Sequence, residues 1–344
     1  MSASSSAART HYSPDLEVQR SILLATLHDL SIHHLADAIS SAAQWTHKRL
    51  TILLVSRLFN KPSSNSASEC QETPISHTQK WNEVQSLLTC AYVQATKVAQ
   101  QLNRVLMEVD VLLKGTDETL PDDLADDVDI IYCVHHDGGH PQLPHPLSSI
   151  QRVTFLSPNE THPSNLPMSA PPHPDAPPLY PVVILGGTFD HLHAGHKILL
   201  SMGAWIASEK IIVGVTDDAL LTKKSNKEIL EDLPTRKSKV TTFLSLFRPG
   251  LIYDVVPIVD VYGPTGWDPN IQALVVSKET LSGAASIASR RTEKDFPALQ
   301  TFVIDVISPT SSNLEHDDAE ILKQTKMSST FIREWIVNNQ NRGD

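Results

Sequence analysis

Two histidines three residues apart, His193 and His196, stand where the run VVILGGTFDHLHAGHKILL, beginning at Val182, turns from an apolar strand into a helix. Gly186 and Gly187 end the strand and let a ligand approach the backbone closely. Backbone N–H groups, the positive end of a helix and two imidazoles then converge on one point, an arrangement suited to a phosphate. A second run, KMSSTFIREW from Lys326, puts a lysine and the hydroxyls of Ser328, Ser329 and Thr330 just ahead of another helix. That makes a second anion cradle, and two cradles in this order point to nucleotide chemistry.

The same residues admit other readings. Gly186-Gly187-Thr188-Phe189-Asp190 is also what a tight strand-to-helix turn requires, and the spacing matches neither GxGxxG nor a P-loop. His191, His193 and His196 could chelate a metal, but no cysteine is near and Asp190 is the one adjacent carboxylate, so no metal site is expected. His135-His136-Asp-Gly-Gly-His140 reads as a solvated loop, and Ser328 to Thr330 also read as a helix cap.

These residues need a scaffold. From Tyr180 onward strand and helix alternate: strands at 182–185, 210–215, 251–257, 273–276 and 301–307, and helices at 194–207, 233–247 and 328–338. This predicts an α/β, Rossmann-like doubly wound parallel sheet, whose ligands bind beyond the carboxyl ends of the strands, where each motif falls. The first third reads as a smaller α/β domain. It has strands near 50–56 and 128–134 and a long helix from Trp81 through Leu102, Leu106, Val109 and Leu113 to Gly115; Leu23 to Ala42 reads weakly as helix. Between His140 and Pro181 lie about half of the chain's 23 prolines, so an extended linker is expected there, with Val153–Leu156 a short strand inside it. The predicted organisation is a disordered tail (1–19), an N-terminal α/β domain (20–137), a Pro-rich linker (138–180) and a second domain (181–340) able to fold alone from about residue 175.

The 344 residues suffice for two cores, and a formal charge of −11 argues against general nucleic-acid or polybasic membrane binding. Any anion must therefore be held by local groups. Cys70, Cys90 and Cys133 are few and unpatterned, which predicts a reducing compartment, the cytoplasm. The Ser-rich start, with Arg9 and no acid before Asp15, reads as a plain tail, with a mitochondrial presequence the rival reading. No run of 18 apolar residues occurs, so no membrane span is expected.

His193-Ala194-Gly195-His196 resembles the HxGH signature of the nucleotidyltransferase and class I synthetase superfamily, and Lys326-Met-Ser-Ser-Thr330 resembles its second signature. GGTFDHLHAGHK, GVTDDALLTKK (from Gly214), VVSKETLSGA (from Val275) and KMSSTFIR together are similar to the phosphopantetheine adenylyltransferases of eukaryotic and archaeal type. The resemblance covers residues 181–338. Residues 20–135 loosely resemble the N-terminal region of fungal and animal members.

The resemblance implies transfer of AMP from ATP to 4′-phosphopantetheine, giving dephospho-coenzyme A and pyrophosphate, with Mg²⁺ accompanying ATP. The nucleophile is already an anionic phosphate, so no base or protein nucleophile is required; positioning and positive charge suffice. On this resemblance His196 donates to the transferring phosphate and His193 lies beside it, while Thr188 sits between the two substrates' phosphates. Lys223 or Lys224 holds the phosphate of phosphopantetheine, the resemblance leaving open which, and Arg236 is a further partner. Gly186, Gly187, Ser277, Thr280, Lys326, Ser328, Ser329, Thr330 and Arg333 form the nucleotide side. Lys278 departs from the family's glutamate there, which leaves that position's role open. Rival readings are a cytidylyltransferase, which would carry an RTxGISTT-type second signature, a class I synthetase, which would be longer and basic, and a non-catalytic scaffold. For the N-terminal region a scaffold role is the expectation, either toward other coenzyme A enzymes or in stabilising the second domain.

Overall fold

The structure, a computed structural model, describes residues 18–60, 75–134, 143–159, 172–304 and 328–340. The start of the chain, His135, His136, His140 and Lys326 lie outside them. Two parallel five-stranded sheets form the frame. The first runs β3-β2-β1-β4-β5 across the sheet, with β1 Val18–Thr26, β2 Thr46–Val55, β3 Glu108–Lys114, β4 Ile130–Val134 and β5 Val153–Leu156. The second runs β10-β9-β6-β7-β8, with β6 Tyr180–Gly187, β7 Ala207–Thr216, β8 Ile252–Ile258, β9 Ala273–Ser277 and β10 Gln300–Ile304. Numbered within its own half, each sheet has the strand order 3-2-1-4-5. The helices are α1 Ala36–Trp45, α2 Trp81–Gln101, α3 Ala194–Ile206, α4 Leu233–Phe247, α5 Leu281–Glu293 and α6 Ser329–Gln340.

The second half follows its sequence pattern closely, since short buried strands flanked by glycine and amphipathic helices carry strong local signals. The first half departs from expectation in three ways. Leu23 to Ala42 is not one helix: β1 is the central strand of its sheet, with Ile22, Leu23, Leu24 and Ala25 buried. A central parallel strand has two apolar faces, so its run lacks the alternation that marks a half-buried strand. The long helix stops at Gln101, and Val109 to Leu113 belong to β3. Asn103, at φ 55°, takes the left-handed conformation, and the N–H of Arg104 closes on Ala99 O at 2.7 Å. Finally, β5, the short strand expected at 153–156, joins the first sheet beside β4, and described residues of the expected linker near 173–178 are hydrogen-bonded to the rest of the protein. The His173 ring bonds Thr301 O at 2.7 Å and Gln300 Nε2 at 2.6 Å, and Thr78 bonds the carbonyls of Pro177 and Pro178. The proline-rich stretch therefore packs along both sheets where it is described.

Helices α3 and α4 lie against the first half. Gly203 allows α3 to approach β6, since a Cβ there would stand 2.5 Å from a Leu185 methyl. One continuous apolar core runs from Val18 to Ile304 through both halves. At its centre the Lys197 ammonium, on α3, donates to Asp110 Oδ1 at 2.6 Å and to Val109 O at 2.9 Å. Trp205 Nε1 donates to His77 O at 2.9 Å, and their rings stack at 3.7 Å. Lys114 Nζ meets the Leu246 and Phe247 carbonyls at 2.8 and 3.1 Å, a cation on the negative end of α4. Among the described residues no helix is long and apolar enough to cross a membrane.

A chain starting at residue 175 would lose the partners of Lys197 and Trp205 and expose to water the apolar faces of α3 and α4 that pack on the first half. We expect that fragment to melt well below the whole protein or to aggregate, as differential scanning fluorimetry and light scattering would show; a monodisperse fragment with the parent's melting temperature would contradict a shared core.

Candidate active site

The carboxyl end of β6 is where the site is built. Gly186 and Gly187 close the strand, and a Cβ on Gly187 would stand 3.2 Å from the Phe189 ring, so that ring seals the turn only because residue 187 is bare. Phe189 and His191 sit at φ 55° and 44°, two left-handed residues that wind the chain tightly around Asp190. Phe189 and Asp190 are fully buried. His193 then occupies the N-cap of α3 without a side-chain cap bond, leaving its ring available.

The His193 and His196 rings stack with centroids 3.9 Å apart, and Phe189 packs on His196 at 5.2 Å. The Nδ1 atoms of both histidines are buried without a partner, so Nε2 is the atom each can offer to a ligand. Burial, with the charge of Lys197 and then of His191 nearby, pushes His193 down from the usual 6.5 to about 3. Burial, with His193 beside it, pushes His196 well below the usual value. Both imidazoles are thus neutral at pH 7.

Asp190 joins this turn to the second cradle. Its Oδ2 accepts from the Arg333 guanidinium and its Oδ1 from Glu231 N at 3.0 Å, while Ser329 Oγ donates to Asp190 O at 2.8 Å. Ser328 caps α6 by accepting from Phe331 N at 3.2 Å. Ser328, Ser329 and Thr330, at the start of α6, are therefore held against the Gly186–His196 turn. Arg333 is not a free phosphate ligand. It is buried, bonds Ser225 O at 3.0 Å through Nε, and reaches Thr330 Oγ1 at 3.4 Å.

Arg236 likewise has a different place from the one its residue type suggests. It is fully buried and donates to Glu231 O, Thr188 O, Thr216 O and the Asp218 carboxylate. It braces the strand ends, drawing the Thr188 carbonyl toward β7. Lys223 and Lys224, by contrast, are exposed on the loop after β7. That loop is tied down by Arg333 on Ser225 O and by the His191 ring on Ile229 O at 2.9 Å. Ser277 and Thr280, at the end of β9, form a reciprocal capping box, Ser277 N reaching Thr280 Oγ1 at 3.1 Å. Asp190, Glu231 and Lys197 are positioning groups that sequence reasoning passed over. Asp190 stood within the motif, but only its burial shows that it holds Arg333.

Because both folded-state histidine values lie below the unfolded one, the folded protein binds fewer protons at acid pH. The two rings leave stability unchanged above about pH 6.5 and lower it as pH falls below that, for His193 down to about 3, by at most ~1.4 kcal/mol per pH unit for each group. Imidazole NMR signals of His193 and His196 should stay at neutral positions from pH 8 to 5; titration near 6.5 would show that burial does not hold their proton affinity down.

A cytidylyltransferase-like family model matches residues 184–334. A phosphopantetheine adenylyltransferase of Saccharomyces cerevisiae is 47% identical over 155 residues, 45% of this chain and 48% of that protein. An uncharacterized protein of Schizosaccharomyces pombe is 42% identical over 157 residues, again 48% of its length. The chain thus spans about half the length of these fungal relatives. It covers far more of a phosphopantetheine adenylyltransferase of Pyrococcus horikoshii, 89% of that protein at 32% identity over 157 residues. With the matched region holding every element of the paired cradles that the structure describes, the chain belongs to the phosphopantetheine adenylyltransferase family.

Proposed function

We propose that this protein transfers AMP from ATP to 4′-phosphopantetheine, forming dephospho-coenzyme A and pyrophosphate. One observation carries the reading: two stacked, neutral imidazoles at the N-terminus of α3, joined through Asp190 to the hydroxyl-bearing start of α6. Such a site supplies hydrogen-bond donors without a nucleophile, which is what transfer between two phosphates requires. The acceptor phosphate attacks the α-phosphorus in line, and the bond to the bridging oxygen of pyrophosphate breaks. His196 Nε2–H donates to the transferring phosphate and His193 to its neighbours, while the N–H groups opening α3 and α6 offset the developing charge. Gly186, Gly187 and Thr188 let the two phosphates approach the strand end, and Lys326 adds charge on the nucleotide side. Ser277 and Thr280 border the nucleotide, and Lys223 or Lys224 holds the acceptor phosphate.

The donor set bears on the metal. Asp190 is already held by Arg333 and Glu231 N, and among the described residues no group of three or more His, Cys, Asp or Glu could hold an ion. A lining of imidazoles and hydroxyls would leave Mg²⁺ to be carried by the ATP phosphates, where it would neutralise charge on the leaving pyrophosphate.

The reading is tested by pyrophosphate release from Mg²⁺ with ATP and 4′-phosphopantetheine, run beside CTP and choline phosphate. Release should need both of the first pair; release with CTP and choline phosphate instead would replace it. His196→Ala should lower kcat at least about a hundredfold with unchanged melting, and near-normal turnover would remove its role. Lys223→Ala and Lys224→Ala should separate, one raising KM for phosphopantetheine strongly and the other barely; equal small effects would place that phosphate elsewhere.

A further inference from the structure

The first half grips the helices that carry the site. At the start of α3, Lys197 directly follows His196, and its backbone N–H bonds His193 O at 3.0 Å, the bond that opens the helix. Its side chain runs into the first half, to Asp110 Oδ1 at 2.6 Å and Val109 O at 2.9 Å, with the Phe243 ring 5.7 Å away. Asp110 is fixed in turn by Arg49, whose Nη2 and Nε meet Oδ2 at 2.8 and 3.0 Å. Burial alone would raise the Asp110 carboxyl, but Lys197 and Arg49 outweigh it and hold it below the usual carboxylate range. The far end of α3 is held by the His77–Trp205 stack, the end of α4 by Lys114, and α6 by Trp335 Nε1 on Asn103 Oδ1 at 3.0 Å.

Apolar packing is not directional and would let α3 slide or rotate on its neighbours. A buried ammonium with two short, oriented bonds would not. A shift of about 1 Å at a reacting centre can cost as much as a hundredfold in rate. Resting on the adenylyl-transfer reading, we infer that the first half is the positioning half of the enzyme, and that Asp110 is a positioning residue that sets the His193–His196 pair by holding Lys197. Asp110 touches no substrate and acts through the helix start.

The test uses the full chain. Replacing the pair together, Asp110→Leu with Lys197→Met, removes both buried charges and leaves Arg49, one-third exposed, with Glu108 3.8 Å away, so melting is expected to stay near that of the parent. It should lower kcat about tenfold or more while KM for ATP and phosphopantetheine stays within about threefold, and it should move the His193 and His196 imidazole NMR signals. Arg49 is one-third exposed, so Arg49→Gln should fold in any case and lower kcat about threefold. Unchanged kcat and unmoved imidazole signals in a folded double variant would overturn the inference. If the double variant unfolds, unchanged kcat and signals in Arg49→Gln would overturn it instead. Should the parent protein show no turnover, the adenylyl-transfer reading fails, and the imidazole signals, which need no substrate, still decide whether Asp110 positions the pair.

Discussion

Asp190 is the carboxylate on which the site is assembled. Fully buried, it receives the Arg333 guanidinium on one oxygen and Glu231 N on the other, while its carbonyl takes the Ser329 hydroxyl. Those contacts join three segments far apart in sequence: the turn after β6, the loop before α4 and the start of α6. A buried ion pair is weak evidence for stability, because desolvation offsets much of its attraction, but it penalises any arrangement that parts the partners. Asp190 and Arg333 therefore specify which helix start faces His193 and His196. Arg236 does the same on the other side, binding the carbonyls of Thr188 and Thr216.

The protein's net charge of −11 repels anions in general. Its crevice answers with helix N-termini, neutral imidazoles and hydroxyls in place of a broad basic patch. On the proposed reading neutral histidines suit this work: they would donate through Nε2 without the hydration an imidazolium would have to shed. Their low proton affinity comes from the packing of Phe189 and of each ring on the other. The first half contributes from a distance, through Lys197 and Trp205 on the same helix.

Much of the second half was legible from local pattern. The glycines at 186 and 187, the HxGH spacing and the capping residues of α6 are all short-range signals. What was not legible is long-range. Arg236 and Arg333 look like phosphate ligands by residue type, and only three-dimensional placement shows them engaged by Asp218 and Asp190. Lys197 looks like a solvated residue after a motif, yet its partner Asp110 is 87 residues earlier. In the first half, β1 and β3 were hidden for different reasons. β1 is leucine-rich with two buried faces, and β3 follows α2 with apolar spacing that happens to continue the helical period across the left-handed turn at Asn103.

On the proposed reading the chain moves an adenylyl group in one in-line step and contributes no nucleophile of its own. Stereochemistry at phosphorus tests it directly. With ATP chirally substituted by sulfur at the α-phosphorus and 4′-phosphopantetheine as acceptor, a single displacement predicts inversion of configuration in the product. Retention would mean two displacements through a covalent adenylyl-protein, and would contradict a site built on two neutral histidines and paired helix ends.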